Sequence, residues 1–377
     1  MTDTLHDWSQ GFGVIHHDFL TRDRISDLLA ELAADGTCTV AQATLLLKAA
    51  DRLCNAAMRQ VAHMPYARQV YLDGRPLAQS DFKPQPEGHT GGALNMVPAY
   101  VGYLLANALT GTTRSWLMGQ GHCVAAIDAV NVLLGNTDAA QAERYPFSDA
   151  GLSQLCQDFY SYAIDAEGRP AVPLGSHVNP HTGGGISEGG YLGFAGLQYV
   201  HMPLPGQELV TFLSDGAFEE QRGSDWAPRW WRGEDSGLVM PIMIANGRRI
   251  DQRSTMAQVG GVDWLREHLT LNGFDPIDID GRDPAAFAWA IISMARSLRR
   301  AHESVIKGDA EYPVRLPYAI AETVKGFGFP GAGTNAAHNL PLVDNPAVNE
   351  AARERFNQGI AALHVDEAEL RAAVAAL

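Results

Sequence analysis

Asp215 and Asn246 carry the clearest chemical message in this chain. Residues 208–213 form an apolar run that leads into Ser214-Asp215-Gly216, and residues 238–245 form a second that leads into Asn246-Gly247-Arg248-Arg249-Ile250. Two parallel strands joined by a crossover helix would bring Asp215 and Asn246 side by side at their carboxyl ends. One carboxylate, one amide oxygen and a nearby backbone carbonyl are hard oxygen donors that suit Mg²⁺, an ion that keeps positions open for phosphate oxygens. The pair reads as a metal site that anchors a diphosphate.

Three Gly/His-rich segments add to it. They are Glu87-Gly88-His89-Thr90-Gly91-Gly92, then Gly119-Gln120-Gly121-His122, then residues 176–190 with His177, Gly189 and Gly190. Glycines this dense let backbone approach a ligand closely and present N–H groups to phosphate.

The remaining elements must hold these loops in place. Apolar spacing predicts two helices in residues 21–63, with Thr21 and Thr39 as N-caps. Further helices are expected over 93–109, on to Leu134, near 190–201 and over 284–303, with a helical, Ala/Glu-rich tail over 344–377. Strands are expected at 116–118, 208–213, 238–245, 275–280 and 314–322. Strands alternating with helices predict an α/β fold, a doubly wound, mainly parallel sheet with helices on both faces. The expected division is a helical N-terminal extension (1–86), an α/β core domain (87–343) and the helical tail. In such folds, ligands bind where strands end and helices begin.

Bulk properties narrow the function. A net charge of −15 argues against a nucleic-acid surface. The four cysteines are far apart and form no CxxC pair, which fits reduced thiols in a cytoplasmic protein. The acidic start lacks the basic and apolar regions of a signal peptide, and the longest uncharged run, 90–113, is too polar to span a membrane. Arg248-Arg249 and Arg299-Arg300 are expected at the surface, Trp230-Trp231 in an interface or core cluster, and Glu219 and Glu220 at a subunit contact or in solvent.

Asp215-Gly216 followed by Asn246 resembles the thiamine diphosphate signature, with Ser214 in place of its first glycine. Residues 176–193 resemble, in register and without a gap, the Ser-His-x-x-Pro-x-Thr-Pro-Gly-Ser-Ile-His-Glu-Gly-Gly-Glu-Leu-Gly segment of phosphoketolases. Gly88-His89, Gly121-His122, Lys325-Gly326 and His338-x-Leu340-Pro341-Leu342 follow in family order. The looser outline is shared with transketolase. Ser187 stands where the family has a histidine, and Tyr191 where it has a glutamate.

The resemblance implies that Asp215, Asn246 and the Arg248 carbonyl bind Mg²⁺. It also implies that Gly121, Gly189, Gly190, Gly216 and Ile250 lie along thiamine diphosphate. His89, His122, His177 and His338 would line a substrate channel and move protons, with Lys325 as a fixed positive charge. The implied function is the diphosphate-binding subunit of an enzyme that cleaves ketose phosphates between C2 and C3. In this superfamily a second domain supplies a glutamate to the cofactor's pyrimidine ring, and that domain is expected on a partner chain, giving a dimer or heterotetramer. Two alternatives remain: a self-sufficient ketose-phosphate epimerase, and a cofactor-binding regulatory paralogue without catalysis.

Overall fold

The computed structural model describes residues 3–161, 164–168, 171–172, 207–220 and 237–377. His177, Ser187, Gly189, Gly190 and Tyr191, the helix expected near 190–201, and Trp230-Trp231 lie outside the described residues.

Three helices come first: α1 (Asp3–Ser9), α2 (Phe19–Ala34) and α3 (Val40–Tyr66). Thr39 caps α3 as its spacing predicts, in a capping box with Gln42. The cap of α2 is Asp18 and not Thr21. Asp18 Oδ1 accepts the Thr21 N–H at 2.6 Å, and a carboxylate answers the positive end of a helix better than a hydroxyl does.

Next come α4 (Thr90–Thr110), β1 (Ser115–Met118), α5 (Val124–Leu134), α6 (Ala139–Arg144) and α7 (Asp149–Phe159). After them run β2 (Glu208–Ser214), α8 (Asp215–Glu220), β3 (Leu238–Ala245) and a small hairpin of β4 (Arg248–Arg249) and β5 (Gln252–Arg253). The chain continues through α9 (Thr255–Val259), α10 (Val262–Leu271), β6 (Phe274–Asp280), α11 (Pro284–Lys307) and β7 (Leu316–Glu322). It closes with α12 (Glu350–Ala362) and α13 (Glu367–Ala376).

The main sheet is parallel throughout, in the order β1-β2-β3-β7-β6. Every residue of β3 is buried. Because side chains alternate between faces, both faces of the sheet are covered there. Helix α11 packs on β3, β6 and β7 and against α4, which in turn packs on α3 and α5. Pro276 is tolerated in β6 because that strand is an edge, paired to β7 alone. Residues from Leu5 to Leu370 share one hydrophobic core, so the helices at both ends of the chain pack on the same body as the sheet. Among the described residues, no helix is long and apolar enough to cross a membrane.

Arg299 and Arg300 are exposed, as expected, but Arg299 reaches a buried partner. Glu208, which opens β2, is buried, and Arg114 Nε donates to its Oε2 at 2.5 Å. Arg299 donates to the other oxygen and is therefore tied to the end of the sheet.

Candidate active site

The order of the strands lines up the loops that matter. β1, β2, β3 and β7 are neighbours, and their carboxyl ends lead to His122, Asp215, Asn246 and Lys325 respectively. His89 stands at the start of α4, and His338 ends a short 3-10 turn, Asn335–His338.

Backbone contacts seal α4 to the segment after β7. Asn339 O accepts both the Thr90 hydroxyl at 2.6 Å and the Thr90 N–H at 3.3 Å, and the Gly326 N–H donates to Gly91 O at 3.2 Å. Asn95 Nδ2 donates to Val324 O at 2.8 Å. Only glycine fits at the seam. A Cβ on Gly91 would lie 2.3 Å from Ala337 O, and one on Gly92 would lie 2.9 Å from His122 Nε2.

This seam gathers His89, His122 and His338, the described members of the candidate histidine set. The ring centres of His89 and His338 are 5.1 Å apart, those of His122 and His338 5.5 Å, and those of His89 and His122 5.9 Å. Lys325 Nζ is 2.9 Å from His338 Nδ1, and His338 Nε2 is 3.4 Å from His89 Nδ1. An ammonium only donates, so His338 Nδ1 accepts and the ring proton belongs on Nε2, aimed at His89. Burial lowers the pKa of all three rings, and the positive charge of Lys325 lowers each further. They are neutral near pH 7, each able to donate and to accept. Cys123 lies beside them, its thiol pushed up to about 12 by burial.

The Asp215 end of the site is an oxygen cluster. Asp215 is fully buried. Its Oδ2 accepts the Gly247 N–H at 2.7 Å and the Ser254 hydroxyl at 3.2 Å, and its Oδ1 accepts the Gly216 N–H at 3.0 Å. Burial pushes the carboxyl up to about 6, against those hydrogen bonds and the charge of Lys325. The bond to Gly247 brings the end of β2 against the residue after Asn246. Arg248 O lies 3.7 Å from where a Gly216 Cβ would be, so its carbonyl faces the same turn.

These three donors, carboxylate, amide and carbonyl, are all hard oxygens. Asp215 Oδ1 accepts one bond and keeps a lone pair, so the set fits Mg²⁺. Arg248 also reaches across to Asn335 with its guanidinium, joining the oxygen cluster to the turn that carries His338. Between Ile250 and that turn a cavity of about 300 Å³ is lined by Ile250, Asn335, Ala336, His338 and Leu340, among others. Ile250 has φ of +35°, a conformation that a β-branched residue avoids and that is found where neighbouring structure enforces it. Gly121 is buried at the start of the turn that carries His122.

Two site residues escaped the sequence reading. Ser254 anchors Asp215 and caps α9 by accepting the Ala257 N–H at 3.2 Å. A serine just ahead of a short apolar helix was its only signal. Glu219, expected at an interface or in solvent, accepts the N–H groups of Thr255 and Met256 at the start of α9 and pairs with Arg249 at 3.7 Å. A carboxylate at a helix N-terminus explains that placement.

Comparison with known proteins locates the chain among its relatives. Residues 42–360 match the XFP N-terminal domain family. A curated relative from Pseudomonas putida, named a probable phosphoketolase, is 28% identical over 308 residues, which is 73% of this chain and 36% of that protein. A protein of the same name from Chlorobaculum tepidum is 26% identical over 327 residues, 78% of this chain and 39% of the relative. The chain thus spans little more than a third of the length of these relatives. Among solved structures, a transketolase from Pichia stipitis is similar over 85% of this chain and 45% of its own, with 15% identity and a TM-score of 0.46.

Proposed function

Because this chain belongs to the XFP N-terminal domain family, we propose that it is the diphosphate-binding part of a thiamine diphosphate- and Mg²⁺-dependent enzyme that cleaves ketose phosphates between C2 and C3. The observation that carries the reading is the row of loops after β1, β2, β3 and β7, with His89 and His338 brought over Lys325.

Asp215, Asn246 and the Arg248 carbonyl would hold the metal, and through it the diphosphate. Gly121, Gly216 and the strained Ile250 would border the cofactor. When bound, thiamine diphosphate supplies the nucleophile for a ketose carbonyl. The chain's own residues do the rest. Neutral His89, His122 and His338 exchange hydrogen bonds with sugar hydroxyls, and Lys325 offers positive charge to an anionic substrate. His177 belongs to the same set by resemblance.

The glutamate that contacts the pyrimidine ring in this superfamily would come from sequence beyond these residues, most simply on a partner chain in a dimer or heterotetramer. Ser187, in place of the family histidine, favours a second reading, in which cleavage is followed by transfer to an aldose or by epimerisation instead of acetyl phosphate formation.

The test is calorimetric titration of the chain with thiamine diphosphate, with and without Mg²⁺, alone and with a co-encoded pyrimidine-domain protein. Mg²⁺-dependent micromolar binding supports the reading, and requirement for the partner supports the split arrangement. Absence of binding in every combination overturns both.

A further inference from the structure

Away from this site, the segment that joins α1 to α2 is fastened by a buried charge cluster. His17 is buried, with Nδ1 2.7 Å from Asp283 Oδ2 and Nε2 3.2 Å from Asp51 Oδ2. A neutral imidazole has a single N–H and cannot donate to both carboxylates. Two ring nitrogens each facing a carboxylate oxygen is the arrangement of an imidazolium; a metal ligand would need one nitrogen bare. Asp51 lies on α3 and Asp283 caps α11, so one ring joins three distant parts of the chain.

Neighbouring contacts extend the attachment. The Trp8 ring lies tilted over His17, with ring centres 4.1 Å apart. Asn55, one helical turn on from Asp51, accepts the Val14 N–H at 3.0 Å and donates to Phe12 O at 2.9 Å. Residues 8–17 therefore form a strap bound along α3.

That strap precedes the span 42–360 matched to the family, and it lies against the loop that carries Lys325. A Cβ on Gly328 would lie 3.2 Å from Val14 Cγ2 and 2.4 Å from Met58 Cε. Arg282, next to Asp283, stands over the ring of Phe327 at 6.0 Å. The strap thus meets this loop at Gly328, and the residue beside Asp283 meets it at Phe327.

We propose that the His17–Asp51–Asp283 triad is a charge lock that holds residues 8–17 against the Lys325 loop, which makes His17 a positioning residue for Lys325 and His338. The proposal deepens the reading of Lys325 and His338 as site residues and rests on it.

The electrostatics agree with a lock that stays shut. Burial alone would lower the His17 pKa, but hydrogen bonds to and charge on Asp283 and Asp51 outweigh it and raise it to about 10. Arg52 and Cys54 on α3, and Asp280 at the end of β6, are the other titratable groups that act on the cluster. A histidine whose folded pKa is raised contributes its stability fully below the unfolded value of about 6.5 and loses it only as pH rises through the folded one. Burial pushes Asp51 up to about 6 and raises Asp283 as well, so the lock loosens as pH falls through about 6 and is closed across the neutral range. Removing His17 leaves two carboxylates buried without a counter-charge, so the strap should open.

Two measurements on the full chain test this, and neither needs cofactor. In the wild type, histidine NMR should show His17 protonated to beyond about pH 9, and titration near 6.5 would overturn the lock. In His17→Gln, hydrogen exchange should quicken about tenfold or more in residues 8–17 and in 325–328, with 262–271 unchanged. His338 should titrate about one pH unit higher as Lys325 moves off. Asp51→Asn, a milder change should the first variant not fold, should quicken both segments about threefold. Faster exchange in 8–17 with 325–328 and His338 unmoved would reduce the triad to an anchor for the N-terminus. Failure of thiamine diphosphate to bind would leave these readouts intact.

Discussion

Gly91→Ala puts the close approach at the site to a quantitative test, because two effects of opposite sign compete. Gly91 is the second residue of α4. In an open helical position, replacing glycine with alanine stabilises by about 0.5–1 kcal/mol. Here the added Cβ would lie 2.3 Å from Ala337 O, 2.9 Å from Ala337 C and 3.0 Å from Lys325 Cγ. The first two atoms are backbone and cannot turn aside, so the seam must open by about 1 Å to restore ordinary contact. Overpacking of this kind costs about 1–3 kcal/mol.

The Gly326–Gly91 bond at 3.2 Å and the His89–His338 contact at 3.4 Å have no slack for that movement. Losing the backbone bond costs about 1 kcal/mol more. The expected net result is a loss of about 1–3 kcal/mol in urea unfolding. His338 should also titrate closer to its ordinary value, as Lys325 separates from it. A variant as stable as the wild type or more so, with His338 unchanged, would refute the claim that α4 and the Ala337–His338 backbone are in contact there.

Other outcomes follow from the same coordinates. His63 is fully buried, donates from Nδ1 to Arg59 O while Nε2 has no partner among the described residues, and is driven down to about 3 by burial and by the Arg59 charge. Its neutral form is favoured in the folded state, so it costs stability as pH falls below about 6.5, roughly 2 kcal/mol between pH 7 and pH 5. His63→Asn should lower stability at pH 7 yet flatten that acid slope by the same amount; an unaltered slope in urea unfolding would exclude a neutral buried ring. Glu208→Gln strips the counter-charge from Arg114, whose side chain is 1% exposed, and should cost about 3 kcal/mol. A loss under about 1 kcal/mol would mean that water reaches Arg114. Asp215→Ala should abolish Mg²⁺-dependent binding of thiamine diphosphate in calorimetry, and unchanged affinity would remove it from the metal set.

What could be read from the sequence follows a physical divide. Apolar runs that end in Asp215 and Asn246 mark strands whose carboxyl ends must converge in a parallel sheet, and both residues stand at those ends. Asp283 and Pro284 announce the start of α11 in the same local way. The strand order was not legible, because nothing local tells β7 to insert between β3 and β6. The His17 triad was hidden for a similar reason: its members are 34 and 266 residues apart, and a single histidine with ordinary neighbours carries no periodic signal. Glu219 misled because charge alone reads as solvated surface. Its partner, the start of α9, is brought to it only by packing.

The histidine cluster raises a question of sign that the resemblance does not. Imidazole moves protons well when its pKa is near the working pH, yet burial and Lys325 hold His122 and His338 far below it. As they stand, these rings accept hydrogen bonds but resist taking a proton. The cause that can be reversed is the charge of Lys325. An anion placed beside it offsets the ammonium and removes that cause, so the rings should become more basic only when negative charge is bound. Proton transfer would then be coupled to occupancy by an anionic substrate, and the empty site would stay inert toward solvent protons. Histidine NMR with inorganic phosphate as the probe decides it: the His338 titration should move upward with phosphate and return on dialysis. In Lys325→Met, His338 should already be higher without phosphate and should no longer respond. A His338 titration that ignores both phosphate and the loss of Lys325 would show that burial alone sets its basicity, and the coupling would fall.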